Sequence, residues 1–247
     1  MTELKRPKEV EFTFRQPPAP YPPSQRSGAF IGPSGVGKTT TSLALLEGPY
    51  RHCYSRVYIF SPSCAPGIDS ARGAWRKHVK DVMKVPHDEQ TMWDTWEPQA
   101  LEEIIERHKK VNAFLKKKGK KKGFVILVLV DDFADAGDKV MHSSTNVLTS
   151  LFVRGRHLGC ACWLLSQKLR VVSLLARTNF CFMLVWHLRN SKELQTIIEE
   201  LDAITDKNTL MDMYRLATNT KHGFGFINLL SEASHIFYKN VDQRVVI

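Results

Sequence analysis

The stretch Gly32-Pro33-Ser34-Gly35-Val36-Gly37-Lys38-Thr39 decides the fold. It satisfies G-x-x-x-x-G-K-[ST] at every fixed position. A short apolar strand is expected just before it, at Gly28 to Ile31, and a helix just after it, from Lys38 to Leu46, closed by Gly48. Glycines tolerate left-handed backbone, so successive N–H groups in such a turn converge on phosphate oxygens, and the positive end of the helix adds to the attraction. Pro33 has no N–H, so the donors are expected from Gly35 to Thr39, with Gly32, Ser34 and Thr40 completing the lining. In this reading Lys38 bridges the β- and γ-phosphates of ATP and the Thr39 hydroxyl ligates Mg²⁺.

Two later strand ends extend the pattern. Val125-Ile126-Leu127-Val128-Leu129-Val130 runs into Asp131-Asp132. A buried strand that delivers carboxylates at its C-terminal end supplies what a Mg²⁺ site beside a phosphate turn needs. Asp131 is assigned to the metal, through water, and Asp132 to orienting and deprotonating the attacking water; Asp135 and Asp138 read as loop or helix-cap acids. Ala161-Cys162-Trp163-Leu164-Leu165-Ser166 ends in Gln167, whose amide can bond the γ-phosphate or the lytic water.

Around these motifs strand and helix alternate. Strands are expected at Val57 to Phe60, Phe124 to Val130, Ala161 to Leu165 and Phe180 to Trp186. Phe124 to Val130 should be buried on both faces of a parallel sheet. Helices are expected near Trp75 to Met83, along the face Leu101, Ile104, Ile105, His108, Val111 and Leu115, at Lys139 to Phe152, Ser191 to Leu201 and Lys207 to Leu216. A hairpin, Phe224 to Leu229 with His235 to Tyr238, closes the chain. Such alternation defines a three-layer α/β domain with a mainly parallel sheet. Residues 1–26 hold six of the twelve prolines and read as an extended arm, lying on the surface or docking on a neighbouring subunit; residues 27–247 form the domain.

Composition excludes other classes. The longest apolar runs, Phe124 to Val130 among them, are far short of the roughly 20 residues of a membrane helix, so the chain is not expected to be transmembrane. The N-terminus lacks the pattern of a secretory signal. Five scattered cysteines suit an intracellular, reducing compartment, and Cys160 and Cys162 should share one buried strand face. The formal charge is +10, and Lys116, Lys117, Lys118, Lys120, Lys121 and Lys122 alone carry six positive charges. Bounded by Gly119 and Gly123, this cluster is expected to be mobile. It reads as a DNA-tracking loop, a solvated helix end or a nuclear-import-like run.

The turn at 32–39, Val-Asp-Asp-Phe-Ala-Asp (130–135), Leu-Phe-Val-Arg-Gly-Arg-His-Leu-Gly (151–159) and Trp-Leu-Leu-Ser-Gln-Lys (163–168) occur in the order found in a known family. Over about residues 27–240 the chain resembles the poxvirus-type genome-packaging ATPases of large DNA viruses, within the HerA–FtsK superfamily. The resemblance implies a RecA/ASCE-like P-loop fold, with the Gln167 strand between the phosphate-turn and acidic strands. It also implies a homo-oligomeric ring of five or six subunits that uses Mg²⁺-ATP to move double-stranded DNA, with capsid or membrane-vertex proteins as further partners. Ring motors supply an arginine across the subunit boundary. Arg156 and Arg154, placed after the helix behind the acidic strand, match the family's Arg-Gly-Arg-His stretch, with Arg189 as second choice; His157 reads as structural. One departure stands out. Many relatives carry Glu where this chain has Asp132, one methylene shorter, so the strand end has to lie closer to the phosphate. Two other readings of the residues are a P-loop kinase acting on a small molecule or nucleotide, and an assembly or DNA-tethering subunit that binds ATP without hydrolysing it. A GTPase is disfavoured by the absence of Asn-Lys-x-Asp.

Overall fold

In chain order the computed structural model holds β1 (Gly28–Ile31), α1 (Lys38–Glu47), β2 (Arg56–Phe60) and α2 (Ser70–Lys77), which runs into a π-helical turn at His78–Val82. Then come β3 (Met92–Trp93), α3 (Pro98–Lys117), β4 (Ile126–Asp131), α4 (Val147–Leu158), β5 (Cys160–Ser166), α5 (Leu174–Arg177) and β6 (Phe182–Trp186). The chain closes with α6 (Ser191–Leu201), α7 (Lys207–Ala217), β7 (Phe224–Asn228), β8 (Phe237–Lys239) and β9 (Gln243–Arg244). The structure describes residues 12–65, 70–133, 143–232 and 235–245, without the side chains of 70–72. Asp135, Asp138 and the expected helix start at Lys139 lie outside the described residues.

The nine strands among the described residues form one sheet of order β3-β2-β4-β5-β1-β6-β7-β8-β9. The first six in that order are parallel, and β7, β8 and β9 add antiparallel, extending the expected hairpin by a strand. β5 lies between β1 and β4. The period-2 alternation of a strand divides each central strand between two cores. Ile126, Val128 and Val130 meet α3, α4, α6 and α7 through Leu101, Leu151, Ile197 and Leu210. Leu127 and Leu129 meet α1 and α2 through Leu46 and Trp75. Helices therefore cover both faces, as a sheet of parallel strands requires. None of the five cysteines forms a disulfide; Cys160 and Cys162 share one buried face of β5.

Two expectations shift. β4 begins at Ile126, and Phe124 is 47% exposed, because Asn112 on α3 accepts the Phe124 N–H at 3.0 Å. The helix expected to end at Phe152 instead runs from Val147 to Leu158, started by the Asn146 side chain accepting from Thr149 N. Arg154 and Arg156 therefore lie on α4, not after it. Within residues 12–26 the arm lies on its own chain, in keeping with the surface-lying reading. Tyr21 meets Tyr50 and Phe226, Tyr50 Oη donates to Pro22 O (2.8 Å), and Asn228 Nδ2 donates to Pro20 O (2.9 Å).

Candidate nucleotide site

Strand register gathers the polar strand ends at one edge. Ile31 pairs with Ser166, Asp131 with Leu165, and Phe60 with Val130. The next residues out of β1, β2, β4 and β5 are Gly32, Ser61, Asp132 and Gln167, side by side at the C-terminal edge of the parallel strands. In open parallel sheets this edge is where ligands bind.

The turn has the conformation its glycines allow. Gly35 and Gly37 have φ of 78° and 108°, a region costly for residues with Cβ. Gly37 caps α1 without any side-chain acceptor, so the first helical N–H groups, from Lys38 onward, are left for a ligand. Lys38 is buried, and its Nζ donates to Gly32 O (2.7 Å) and Pro33 O (2.9 Å) across the turn. Burial pushes the Lys38 ammonium below the usual lysine range, while the Asp132 and Asp131 carboxylates pull it back up. Thr39 is half-buried and Ser34 and Thr40 are exposed. His222, from the loop between α7 and β7, donates through Nδ1 to Val36 O at 3.1 Å.

Asp131 is 5% exposed and accepts from Ser61 Oγ at 2.9 Å. Burial pushes its carboxyl up to about 6, with the Asp132 charge adding to the rise and the Ser61 hydroxyl and Lys38 opposing it. Gln167 Nε2 donates to both carboxylate oxygens of Asp132, at 3.1 and 2.9 Å. Asp132 has φ of 53°, a left-handed conformation that Asp and Asn adopt far more readily than most residues. That backbone gives a physical reason for Asp rather than Glu at this position. The donor set suits a nucleotide and a hard cation: uncapped helix N–H groups and one buried ammonium for phosphate, a threonine hydroxyl and a carboxylate for Mg²⁺.

The remaining candidates lie elsewhere. α4 ends where β5 begins, so Arg156, in its last turn, lies toward the opposite edge of the sheet, with Arg154 two residues before it; both are exposed, and Arg156 Nε donates to His157 Nε2 at 3.0 Å. Arg189 is exposed just beyond the C-terminal end of β6, on the edge of the nucleotide turn. Lys116 and Lys117 belong to the last turn of α3, and all six lysines are exposed. The segment after them, expected to be mobile, is tied down: Thr13 N donates to Lys121 O (2.9 Å) and Gly123 N donates to Thr13 O (3.3 Å). Sequence reasoning missed Ser61 and His222. Ser61 was open to discovery as the polar residue ending β2, by the logic that found Asp132 and Gln167.

With turn, strand order and edge in place, the class follows: this is the α/β fold of P-loop ATPases, with a mixed, mostly parallel sheet. The chain belongs to the Poxvirus A32 protein family, which it matches over residues 25–246. Among solved structures it is similar to the genome packaging NTPase B204 from Sulfolobus turreted icosahedral virus 2 in complex with AMP, at TM-score 0.54 and 14% identity, over 83% of this chain and 93% of that one. The ATP-gammaS complex of the same NTPase matches at 0.51 and 10% identity, over the same shares. EssC (ATPases 2 and 3) from Geobacillus thermodenitrificans matches at 0.48 and 16%, over 70% of this chain and 34% of that one. No curated protein sequence matches. Among the described residues no helix is long and apolar enough to cross a membrane.

Proposed function

We propose that the protein is an ATP-hydrolysing motor that translocates double-stranded DNA and packages a viral genome into its capsid. The observation that carries this reading is the shared sheet edge, where Lys38, Asp131, Asp132 and Gln167 converge from three strand ends. The family and the fold of a viral genome packaging NTPase, itself solved with AMP and ATP-gammaS, support it. Residues 27–247 form the motor domain and residues 1–26 its arm. Gly32 to Thr40 hold the ATP phosphates, and Thr39 and Asp131 hold Mg²⁺, which neutralises charge on the phosphate oxygens. Asp132, held by Gln167, takes the proton of the attacking water. An arginine cannot complete its own site from the far edge of the sheet, so the position of Arg156 and Arg154 supports a role toward a neighbour's nucleotide in a ring; Arg189 is the alternative.

ATP turnover measured with and without duplex DNA, with oligomer mass alongside, tests the proposal. Turnover by a ring, stimulated by DNA, is expected; phosphate transfer to a small acceptor by a monomer indifferent to DNA would overturn it in favour of a kinase. The lysine cluster is assigned to DNA. Replacing all six lysines with alanine should flatten the log–log salt dependence of duplex binding by about 0.9 for each phosphate left without its lysine. An unchanged slope removes the cluster from the DNA path.

Ser61 should matter through Asp131. Ser61→Ala deletes the hydroxyl that bonds the buried carboxylate and also accepts from Ser63 N at 3.2 Å. We expect a Mg²⁺ requirement raised about tenfold and a stability loss of about 1–2 kcal/mol, read from Mg²⁺ titration of turnover and from thermal unfolding. A variant with wild-type Mg²⁺ dependence would show that the hydroxyl serves the turn alone.

A further inference from the structure

We propose that Glu193 is a positioning residue for Gln167, setting the catalytic rate from α6 without touching nucleotide; the role rests on the motor reading above. Gln167 is exposed, so packing does not fix its side chain. Its aim at Asp132 depends on the backbone that carries it, and that backbone is held on both sides. Before it, Ser166 O accepts from Gly32 N (3.1 Å), and Ser166 Oγ donates to Lys168 O (2.9 Å). After it, Glu193 Oε2 accepts the Leu169 N–H at 3.0 Å.

Glu193 is 7% exposed, and burying a carboxylate costs free energy unless something offsets it. Two features do. It sits in the first turn of α6, where the helix dipole favours negative charge, and its bond to Leu169 is charge-assisted. The same helix face extends the attachment. Thr196 Oγ1 accepts from Arg170 Nε at 2.8 Å, and Glu200 pairs with Arg177. Residues 193, 196 and 200 are spaced three and four apart, so one face of α6 holds the segment returning from β5 toward β6 at three points. Of the three, only the Glu193 bond falls within two residues of Gln167. Leu169 is fully buried, so its N–H needs an acceptor, and the one it has comes from α6 rather than from the loop itself. Ser166 Oγ holds the Lys168–Leu169 peptide at its C=O and Glu193 holds it at its N–H, so Glu193 is the half of this clamp that comes from α6.

Glu193→Ala should lower kcat for ATP about 10- to 100-fold while KM and the affinity for a fluorescent ATP analogue stay within about threefold, since a small misplacement of a reacting group costs rate rather than binding. Glu193→Gln keeps a neutral oxygen acceptor and should recover most of the rate. In a Gln167→Ala background, Glu193→Ala should add almost nothing, because both act through one side chain. Amide hydrogen exchange gives a readout independent of turnover: exchange at Leu169 should rise at least about tenfold in Glu193→Ala, with β1 and β5 unchanged. Wild-type kcat in Glu193→Ala, effects that multiply fully with Gln167→Ala, failure of Glu193→Gln to recover the rate, or unchanged exchange at Leu169 would each overturn the assignment. A wild-type chain that binds ATP without hydrolysing it would overturn the motor reading and the catalytic part of this one, and the exchange measurement would still show whether Glu193 orders the Gln167 loop.

Discussion

Lys38→Ala is expected to reduce ATP turnover by at least about 10²-fold, the loss typical of removing one donor aimed at developing charge, while leaving the fold intact. Both halves come from the same geometry. Nζ is a buried ammonium that, among the described residues, bonds only the turn carbonyls of Gly32 and Pro33, and its proton affinity is already reduced by burial. Truncation removes two hydrogen bonds from a charged donor, worth about 1.5–3 kcal/mol each. It also removes the cost of burying a charge, which acts in the opposite direction. The two nearly cancel, so the stability change should stay under about 1 kcal/mol, a shift of no more than about 4 °C in Tm for a chain of this size. Turnover assays and thermal unfolding check both. Activity within tenfold of wild type would remove Lys38 from the phosphate site, and a large fall in Tm would recast it as a structural residue.

What the sequence disclosed and what it hid differ by the range of the interaction. The turn, its strand and its helix were legible because the spacing of Gly32, Gly37 and Lys38 is local, and β1 and the start of α1 fall where expected. Sequence alone places Arg154-Gly155-Arg156 after a helix ending at Phe152, but the stretch belongs to α4, which runs to Leu158. Gly155 lies inside α4, where a Cβ would come within 2.4 Å of Cys160 O; it is there to let the helix pass close to the strand that follows. Phe124 misled because apolarity does not reveal that its N–H is taken by Asn112, twelve residues earlier. Glu193 was hidden for a third reason: it meets Leu169 across 24 residues, through a helix placement that no local pattern encodes. Ser61, by contrast, ends β2 as Asp132 and Gln167 follow their strands, and only its partner Asp131, 70 residues on, was out of reach.

Asp132→Asn should cut kcat by about 10²- to 10⁴-fold, the range for losing a general base, with ATP affinity nearly unchanged. Asparagine is the informative replacement because the backbone at 132 is left-handed, φ 53°, a conformation it adopts as readily as aspartate. Alanine would add backbone strain of about 1 kcal/mol or more and confuse a catalytic loss with a structural one. Asparagine also keeps an oxygen for Gln167 Nε2, which now donates to both carboxylate oxygens, so the strand ends stay joined. What disappears is the negative charge and the capacity to accept a proton. A missing base lowers kcat at constant affinity, whereas a missing phosphate ligand raises KM. Single-turnover rates and analogue binding separate the two. If turnover persists within about threefold of wild type, the base lies elsewhere, and the Asp132–Gln167 pair is a structural link between β4 and β5.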